Sequence, residues 1–202
     1  MEEKYICIVD AFSTGADLAP LFKVNGYQAI HIQSSNLIAK DLVDTYRSED
    51  FIESFHYTND LQSTIAKIKP YSPAYVIAGT ETGVELADKL NFVFSLPGND
   101  PKTTDLRRNK YEMSEALKNN GIPHVEQGCF SDLEQIINWA TERNIWPVVA
   151  KPLNSAGSED VYFCNSTEEL YKAANRILNK VNIMGSKNEK VLVQEYLRGQ
   201  QY

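Results

Sequence analysis

The stretch PVVAKPLNSAGSEDVYF, residues 147–163, decides how the second half of the chain is interpreted. Its first part, Pro147 to Lys151, is an apolar run with β-branched residues, which predicts a buried strand that ends in a lysine. A second strand is predicted from Asp160 to Cys164, and the loop between the strands contains the small residues Ser155, Ala156, Gly157 and Ser158. Small residues let backbone N–H groups approach phosphate oxygens closely, and a neighbouring lysine supplies the compensating charge. The stretch therefore predicts a phosphate-binding loop, and the alternative is a polar hairpin loop with a solvated lysine.

Two better-known phosphate-binding motifs are absent from the sequence. No GxxxxGK[ST] pattern occurs, and the turn after the first predicted strand, Asp10 to Gly15, has one glycine instead of GxGxxG. These absences argue against a Walker A loop and against a nicotinamide dinucleotide site.

Two further segments lie on either side of this stretch. Upstream, a basic cluster from Arg107 to Lys110 begins a predicted helix, and Lys110 precedes Lys151 by 41 positions (151 − 110). Downstream, residues 191–196 form an apolar run that turns polar, which predicts a third strand. Taken singly, these segments are typical of a solvated helix end and of a strand that leaves a sheet.

The first half of the chain alternates between strand and helix patterns. Strands are predicted at Tyr5–Val9, Gln28–Ile32, Ala74–Ala78 and Phe92–Leu96. Helices are predicted between them, over about residues 15–26, 60–69 and 82–90. This alternation predicts an α/β fold with a doubly wound parallel sheet.

The turn-rich segment from Leu96 to Pro101 is the predicted boundary, giving an α/β domain over residues 1–98 and a second domain over residues 99–202. Beyond it, Ser131 and Ser166 have the spacing of helix caps, each with a glutamate three residues later. The second domain is therefore expected to be α+β, with strand, loop, strand, helix and strand in that order from Pro147 onward.

Composition excludes several classes of protein. The chain has 202 residues, with 27 acidic against 20 basic side chains and a net charge of −7. This acidic balance argues against nonspecific nucleic-acid binding, because such binding needs a basic face. No apolar run approaches the roughly 20 residues of a membrane-spanning helix, which argues against a membrane partner. Three widely spaced cysteines, Cys7, Cys129 and Cys164, favour a reducing, cytoplasmic location over a disulfide framework.

Taken together and in this order, three segments resemble the ATP-grasp superfamily. They are RRNKYEMSEALKNNGIPH, PVVAKPLNSAGSEDVYF and VLVQEYLRGQQY. The resemblance covers residues 107–202 and, more loosely, the whole chain, since such enzymes begin with an α/β domain. It implies a pre-ATP-grasp domain over residues 1–98 and the beginning of an ATP-grasp domain over residues 99–202.

The resemblance assigns roles to individual residues. It implies that Lys110 and Lys151 are the two nucleotide-binding lysines, and that the loop from Ser155 to Ser158 covers the β- and γ-phosphates. The resemblance places Gln194 where a side chain contacts the adenine amino group. It also implies a hinge, formed by Glu195, Tyr196 and Leu197, whose backbone contacts the edge of the adenine ring. Gln201 falls where the family commonly places a glutamate on the ribose hydroxyls, and a glutamine there loses the charge-assisted part of that bond.

Within the superfamily, the first half looks like the L-amino-acid ligases that make dipeptides, the bacilysin-synthetase type. That branch implies an enzyme that uses ATP and Mg²⁺ to activate a carboxylate as an acylphosphate, which an amine then attacks to form a C–N bond. The carbamoyl-phosphate synthetase and biotin carboxylase branches share the motifs and are the alternative. Glu81, after the third predicted strand, is a candidate on the substrate side, and a solvated helix N-terminus is its other interpretation. Dimers are common in the family, so a homodimer is a further expectation.

The family's pattern extends beyond Tyr202. The magnesium ligands and the arginine that holds the acylphosphate are expected after that residue, so the chain is interpreted as the N-terminal portion of a ligase, inactive alone. Two alternatives stay open: a self-contained nucleotide-binding module without catalysis, and an α/β domain with no affinity for nucleotides.

Overall fold

The computed structural model describes residues 3–200 and divides into two compact units, residues 1–104 and 105–202. The division falls six residues after the predicted boundary at 98/99 (104 − 98). The hydroxyl of Thr104 is buried and donates a hydrogen bond of 2.7 Å to Asp88 Oδ2, which holds the turn-rich segment on the first unit.

The elements alternate along the first unit and change character in the second. The strands are β1 (Lys4–Val9), β2 (Tyr27–Gln33), β3 (Glu53–His56), β4 (Tyr75–Ala78), β5 (Gln127–Phe130), β6 (Val148–Pro152), β7 (Tyr162–Cys164) and β8 (Val191–Glu195). The α-helices are α1 (Leu18–Lys23), α2 (Lys40–Val43), α3 (Leu61–Ile68), α4 (Val84–Phe94), α5 (Asp105–Arg108), α6 (Lys110–Asn119), α7 (Leu133–Arg143) and α8 (Thr167–Ile177). None of the helices between residues 3 and 200 is long and apolar enough to cross a membrane.

The first unit contains a parallel sheet in the order β3-β2-β1-β4, which confirms the predicted doubly wound architecture. Successive residues of β1 point to opposite faces of the sheet. Cys7 and Val9 pack with residues of α3 and α4, whereas Ile6 and Ile8 pack with Ala19 of α1 on the other face. Both faces of β1 are thus buried, which explains its uninterrupted apolar sequence.

The predicted strand over Phe92–Leu96 is wrong, because residues 84–94 form a single helix, α4. Leu86 and Leu90 lie one helical turn apart and enter the core, whereas Phe92 and Val93 remain exposed at 66% and 43%. The fourth strand is instead β3, the edge strand, which sequence reasoning missed. Its sequence, Glu-Ser-Phe-His, is mostly exposed and carries no apolar run.

The second unit contains an antiparallel sheet in the order β5-β8-β6-β7. From Pro147 onward, the succession of β6, loop, β7, α8 and β8 confirms the predicted order. Val148 and Ala150 of β6 pack beneath α7 and α8, so these two helices cover one face of the sheet.

The two predicted helix caps of this unit have different outcomes. Ser166 is confirmed as the cap of α8, because its hydroxyl accepts a hydrogen bond from the backbone N–H of Glu169. The cap of α7 is Asp132 and not Ser131, since the Asp132 carboxylate accepts from the backbone N–H of Gln135 at 3.0 Å. Serine and aspartate are both good N-caps, so the sequence could not separate Ser131 from its neighbour Asp132, and the spacing to Glu134 favoured the serine.

Candidate nucleotide-binding site

One face of the second sheet carries the predicted lysine and glutamine together. In the antiparallel register, Val149 pairs with Gln194, and Lys151 pairs with Leu192. Paired residues point to the same face, so Lys151 and Gln194 share the face opposite to α7 and α8. Lys151 is half-buried there, whereas its neighbours Ala150 and Pro152 are buried.

Lys110 lies at the beginning of α6 and reaches the base of the predicted phosphate loop. The helix begins there because the side chain of Asn109 accepts hydrogen bonds from the backbone N–H groups of Tyr111 and Glu112. Lys110 Nζ donates to the carbonyl oxygen of Ser155 at 2.7 Å, and its backbone N–H donates to that of Leu153 at 3.2 Å. The structure therefore brings together two segments that are 45 positions apart in sequence.

The electrostatics of the two lysines are those of an anion site. Burial lowers the pKa of Lys151, and the charge of Lys110 lowers it further. The pKa of Lys110 is lowered by burial and by the charge of Arg108. Among residues 3–200, neither lysine forms an ion pair. Since a desolvated cation is unfavourable without a partner, a bound anion would stabilise both charges.

The loop between β6 and β7 is fixed at its base and open at its tip. Glu159 Oε2 accepts hydrogen bonds from Ser155 Oγ at 2.6 Å and from the backbone N–H of Ile183 at 2.7 Å. At the tip, Gly157 and Ser158 are exposed, both with positive φ, +63° and +59°. An added Cβ at Gly157 would meet no atom within 4 Å. Glycine is therefore favoured at this position by the left-handed backbone conformation and not by a lack of space for a side chain.

The tip carries backbone donors that face no acceptor. Within the part of the chain that the structure describes, the N–H groups of Ala156, Gly157 and Ser158 donate to no other group. Free backbone N–H groups in a loop of small residues can approach phosphate oxygens closely. The loop thus has free backbone donors, and Lys110 is hydrogen-bonded to the residue that precedes them, Ser155.

The end of β8 holds the predicted adenine-binding residues. Gln194 is buried, and its Nε2 donates to Gln127 Oε1 at 2.9 Å. The carboxylate of Glu195 accepts from the backbone N–H of Glu126 at 2.8 Å, so its side chain is used within the sheet. The backbone N–H groups of Glu195 and Tyr196 also donate within the sheet, to the carbonyl oxygens of Glu126 and Pro147.

Beyond Glu195 the chain exposes apolar surface. Tyr196 and Leu197 are 43% and 65% exposed, and the ring of Tyr196 packs edge-on against Phe163 of β7 with centroids 5.6 Å apart. Phe163 pairs with Val149 and so lies on the lysine face. Sequence reasoning missed Phe163 because only the strand register shows which way it points. Gln201 lies outside the described residues.

Glu81 lies in the first unit, in the turn that follows β4. Its side chain is exposed, and it follows the carboxyl end of a parallel strand, as the sequence predicted. Its role on the substrate side stays a proposal.

The residues fit a nucleotide better than they fit a metal ion. Half-buried lysines, free N–H groups and an exposed aromatic ring suit a polyphosphate and a base. Within residues 3–200, no group of three or more histidine, cysteine, aspartate or glutamate side chains could hold a metal ion. The three cysteines are free thiols, two of them buried.

Comparison with known proteins gives relatives along the whole chain. It is 33% identical over 205 residues to dapdiamide A synthase of Enterobacter agglomerans, an alignment that covers 99% of this chain and 48% of that protein. No family model matches the sequence. The chain thus spans about half the length of dapdiamide A synthase.

Solved structures show the same fold. The L-amino acid ligase of Bacillus licheniformis superposes with a TM-score of 0.72 at 16% identity, over 98% of this chain and 47% of that one. The biotin carboxylase domain of the Hydrogenobacter thermophilus 2-oxoglutarate carboxylase, solved as a dimer with MgADP and bicarbonate, gives 0.66 at 17% identity, over 98% and 45%. At these identities the likeness concerns the fold alone.

The parallel four-stranded sheet followed by an antiparallel sheet matches the fold of ATP-grasp-like neighbours. The chain is thus similar to ATP-grasp ligases, and among them it resembles the L-amino acid ligase branch.

Proposed function

We propose that this chain supplies the ATP-binding part of an ATP-dependent ligase that joins the carboxylate of one L-amino acid to the amine of another. The observation that carries the proposal is the convergence of Lys110 and Lys151, two half-buried cations without acidic partners, at a loop with free backbone N–H groups. The resemblance to the L-amino acid ligase branch supports the amino-acid substrates over those of the biotin carboxylase branch.

In this proposal the residues act by positioning and by neutralising charge. The lysines hold phosphate oxygens of ATP, and the loop tip donates its N–H groups to the terminal phosphates. The substrate carboxylate displaces ADP at the γ-phosphorus and becomes an acylphosphate. The amine then attacks the acyl carbon, phosphate leaves, and the amide bond remains. Phosphoryl transfer depends mainly on such positioning and electrostatic stabilisation.

Mg²⁺ belongs to the proposed reaction as the ion that neutralises developing phosphate charge. Residues 3–200 provide no ligand set for it, so we assign no step to the ion within this chain. The assignment of residues 1–98 as a pre-ATP-grasp domain and of residues 99–202 as part of an ATP-grasp domain belongs to the same proposal, as does a homodimer.

The proposal is tested by turnover of the protein that carries this chain. ADP release is measured with ATP, Mg²⁺ and pairs of L-amino acids, and products are identified by mass spectrometry. We expect ADP release that requires both amino acids and yields a dipeptide of matching mass. The variant Lys151→Ala should reduce kcat/KM by about a hundredfold or more, since it removes a charge-assisted contact to phosphate. ADP release with bicarbonate, but with no amino-acid pair, would contradict the substrate assignment.

A further inference from the structure

Three side chains form a hydrogen-bonded chain from α6 across β5 to β8. Gln127 Nε2 donates to Glu115 Oε1 at 3.0 Å and to the backbone carbonyl oxygen of Tyr111, also at 3.0 Å. On its other side, Gln127 Oε1 accepts from Gln194 Nε2 at 2.9 Å. Sequence reasoning found only the last member of this chain, Gln194.

The donor and acceptor roles in this row of hydrogen bonds are fixed by the two groups that accept from Gln127. A carboxylate and a backbone carbonyl oxygen can only accept hydrogen bonds. Gln127 must therefore turn its NH₂ group toward Glu115 and Tyr111, which leaves its carbonyl oxygen for Gln194. Gln194 must in turn direct its own NH₂ group at Gln127.

The carbonyl oxygen of Gln194 is consequently the group that remains for a ligand. Within the part of the chain that the structure describes, Gln194 Oε1 accepts no hydrogen bond, yet it is not among the fully buried unpaired atoms. Gln194 lies on the same face as Lys151, through its pairing with Val149. This oxygen can accept a hydrogen bond from a base that carries an amino group. A base with a carbonyl group at the same position would place two acceptors against each other, which is unfavourable.

We propose that Glu115 and Gln127 are positioning residues that make the site selective for 6-aminopurine over 6-oxopurine nucleotides. They act through Gln194, whose amide they hold with its oxygen toward the base. The inference rests on the proposed function, because it requires that the lysine face binds a nucleoside triphosphate. It extends that function by assigning the choice of nucleobase to Glu115 and Gln127, which act through Gln194 and do not themselves contact the base.

The test compares, by calorimetry, the Kd values of ATP and inosine triphosphate, whose bases differ in the 6-substituent, amino against oxo, and in the proton that the oxopurine carries on N1. We expect the wild type to prefer ATP by about tenfold or more, the equivalent of one hydrogen bond gained and one acceptor clash avoided. Gln127→Leu should reduce this ratio to about threefold or less, because the Gln194 amide is then free to rotate. Glu115→Leu should reduce it to an intermediate value, because the Tyr111 carbonyl oxygen still accepts from Gln127 Nε2. Gln135→Leu, at an exposed position on α7, is the matched control and should keep the wild-type ratio.

A conservative variant separates positioning from folding. Glu115→Gln keeps an acceptor for Gln127 and should retain most of the ATP preference, whereas a general packing defect would lower both affinities and leave their ratio unchanged. Glu115 lies at a half-buried helix position, so its leucine variant provides a second test if Gln127→Leu fails to fold. An unchanged ratio in a folded leucine variant overturns the inference while ATP binding stands. If the wild type binds neither nucleotide, the proposed function fails as well.

Discussion

Replacing Lys151 with alanine is expected to weaken ATP binding about a hundredfold. A charge-assisted hydrogen bond contributes about 1.5–3 kcal/mol, and a hundredfold change in Kd corresponds to about 2.7 kcal/mol. The upper part of this range applies because Lys151 is half-buried and has no acidic partner among the described residues, so a bound phosphate would be its main stabilising contact. Calorimetric titration of ATP measures the change directly.

The same substitution should leave the fold intact. The Lys151 side chain makes no hydrogen bond within the described residues, and its burial beside Lys110 lowers its pKa, so removing it relieves an unfavourable charge. Lys172→Ala is the matched control, because Lys172 is an exposed lysine paired with Glu168 one helical turn away. It removes the same net charge, and we expect ATP affinity within about twofold of wild type, since exposed charges are screened. Identical isotherms for Lys151→Ala and wild type would remove the phosphate-binding assignment.

Replacing Gly79 with alanine is expected to destabilise the first unit by about 3 kcal/mol or more. Gly79 follows β4, and an added Cβ would lie 2.5 Å from the carbonyl oxygen of Asp10 and 2.9 Å from Ala11 Cα. Both are backbone atoms at the end of β1, so a rotamer change cannot relieve the clash. Denaturant unfolding followed by circular dichroism measures the loss.

The control for this substitution is Gly121→Ala. Gly121 has φ of +68°, and an added Cβ there would meet nothing within 4 Å, so only the left-handed backbone disfavours alanine. That cost is roughly 1 kcal/mol. Equal losses for the two variants would show that the contact between the ends of β1 and β4 is looser than described.

The sequence predicted the sheet of the first unit where strands are buried on both faces. Val9 and its neighbours form an apolar run because both sides of β1 face the core. The edge strand β3 and the end of α4 were missed or misassigned for the opposite reason. Glu53 and Ser54 are exposed, so hydrophobic periodicity carries no signal there, while the exposed Phe92 and Val93 imitate a strand.

For the site, the sequence predicted which residues belong to it and their order along the chain, and the structure showed which face and which neighbours each side chain contacts. Lys110 and Lys151 were recognisable from their segments, but their shared loop contact depends on where α6 begins. The chain from Glu115 through Gln127 to Gln194 could not be predicted, because β5 is short, contains Gly128 and lacks an apolar run. The three side chains come from α6, β5 and β8, and their proximity becomes visible only once the pairing of β5 with β8 is known.

Selective labelling of lysines tests the central claim, that Lys110 and Lys151 hold the phosphates of ATP. The protein is acetylated with and without saturating ATP, and the modified lysines are quantified by peptide mass spectrometry. We expect ATP to reduce the modification of Lys110 and Lys151 by about tenfold or more, because a bound phosphate both covers each amine and holds it protonated. The exposed Lys172 and Lys187 should be modified equally in both samples. Equal modification of Lys110 and Lys151 with and without ATP would contradict the account.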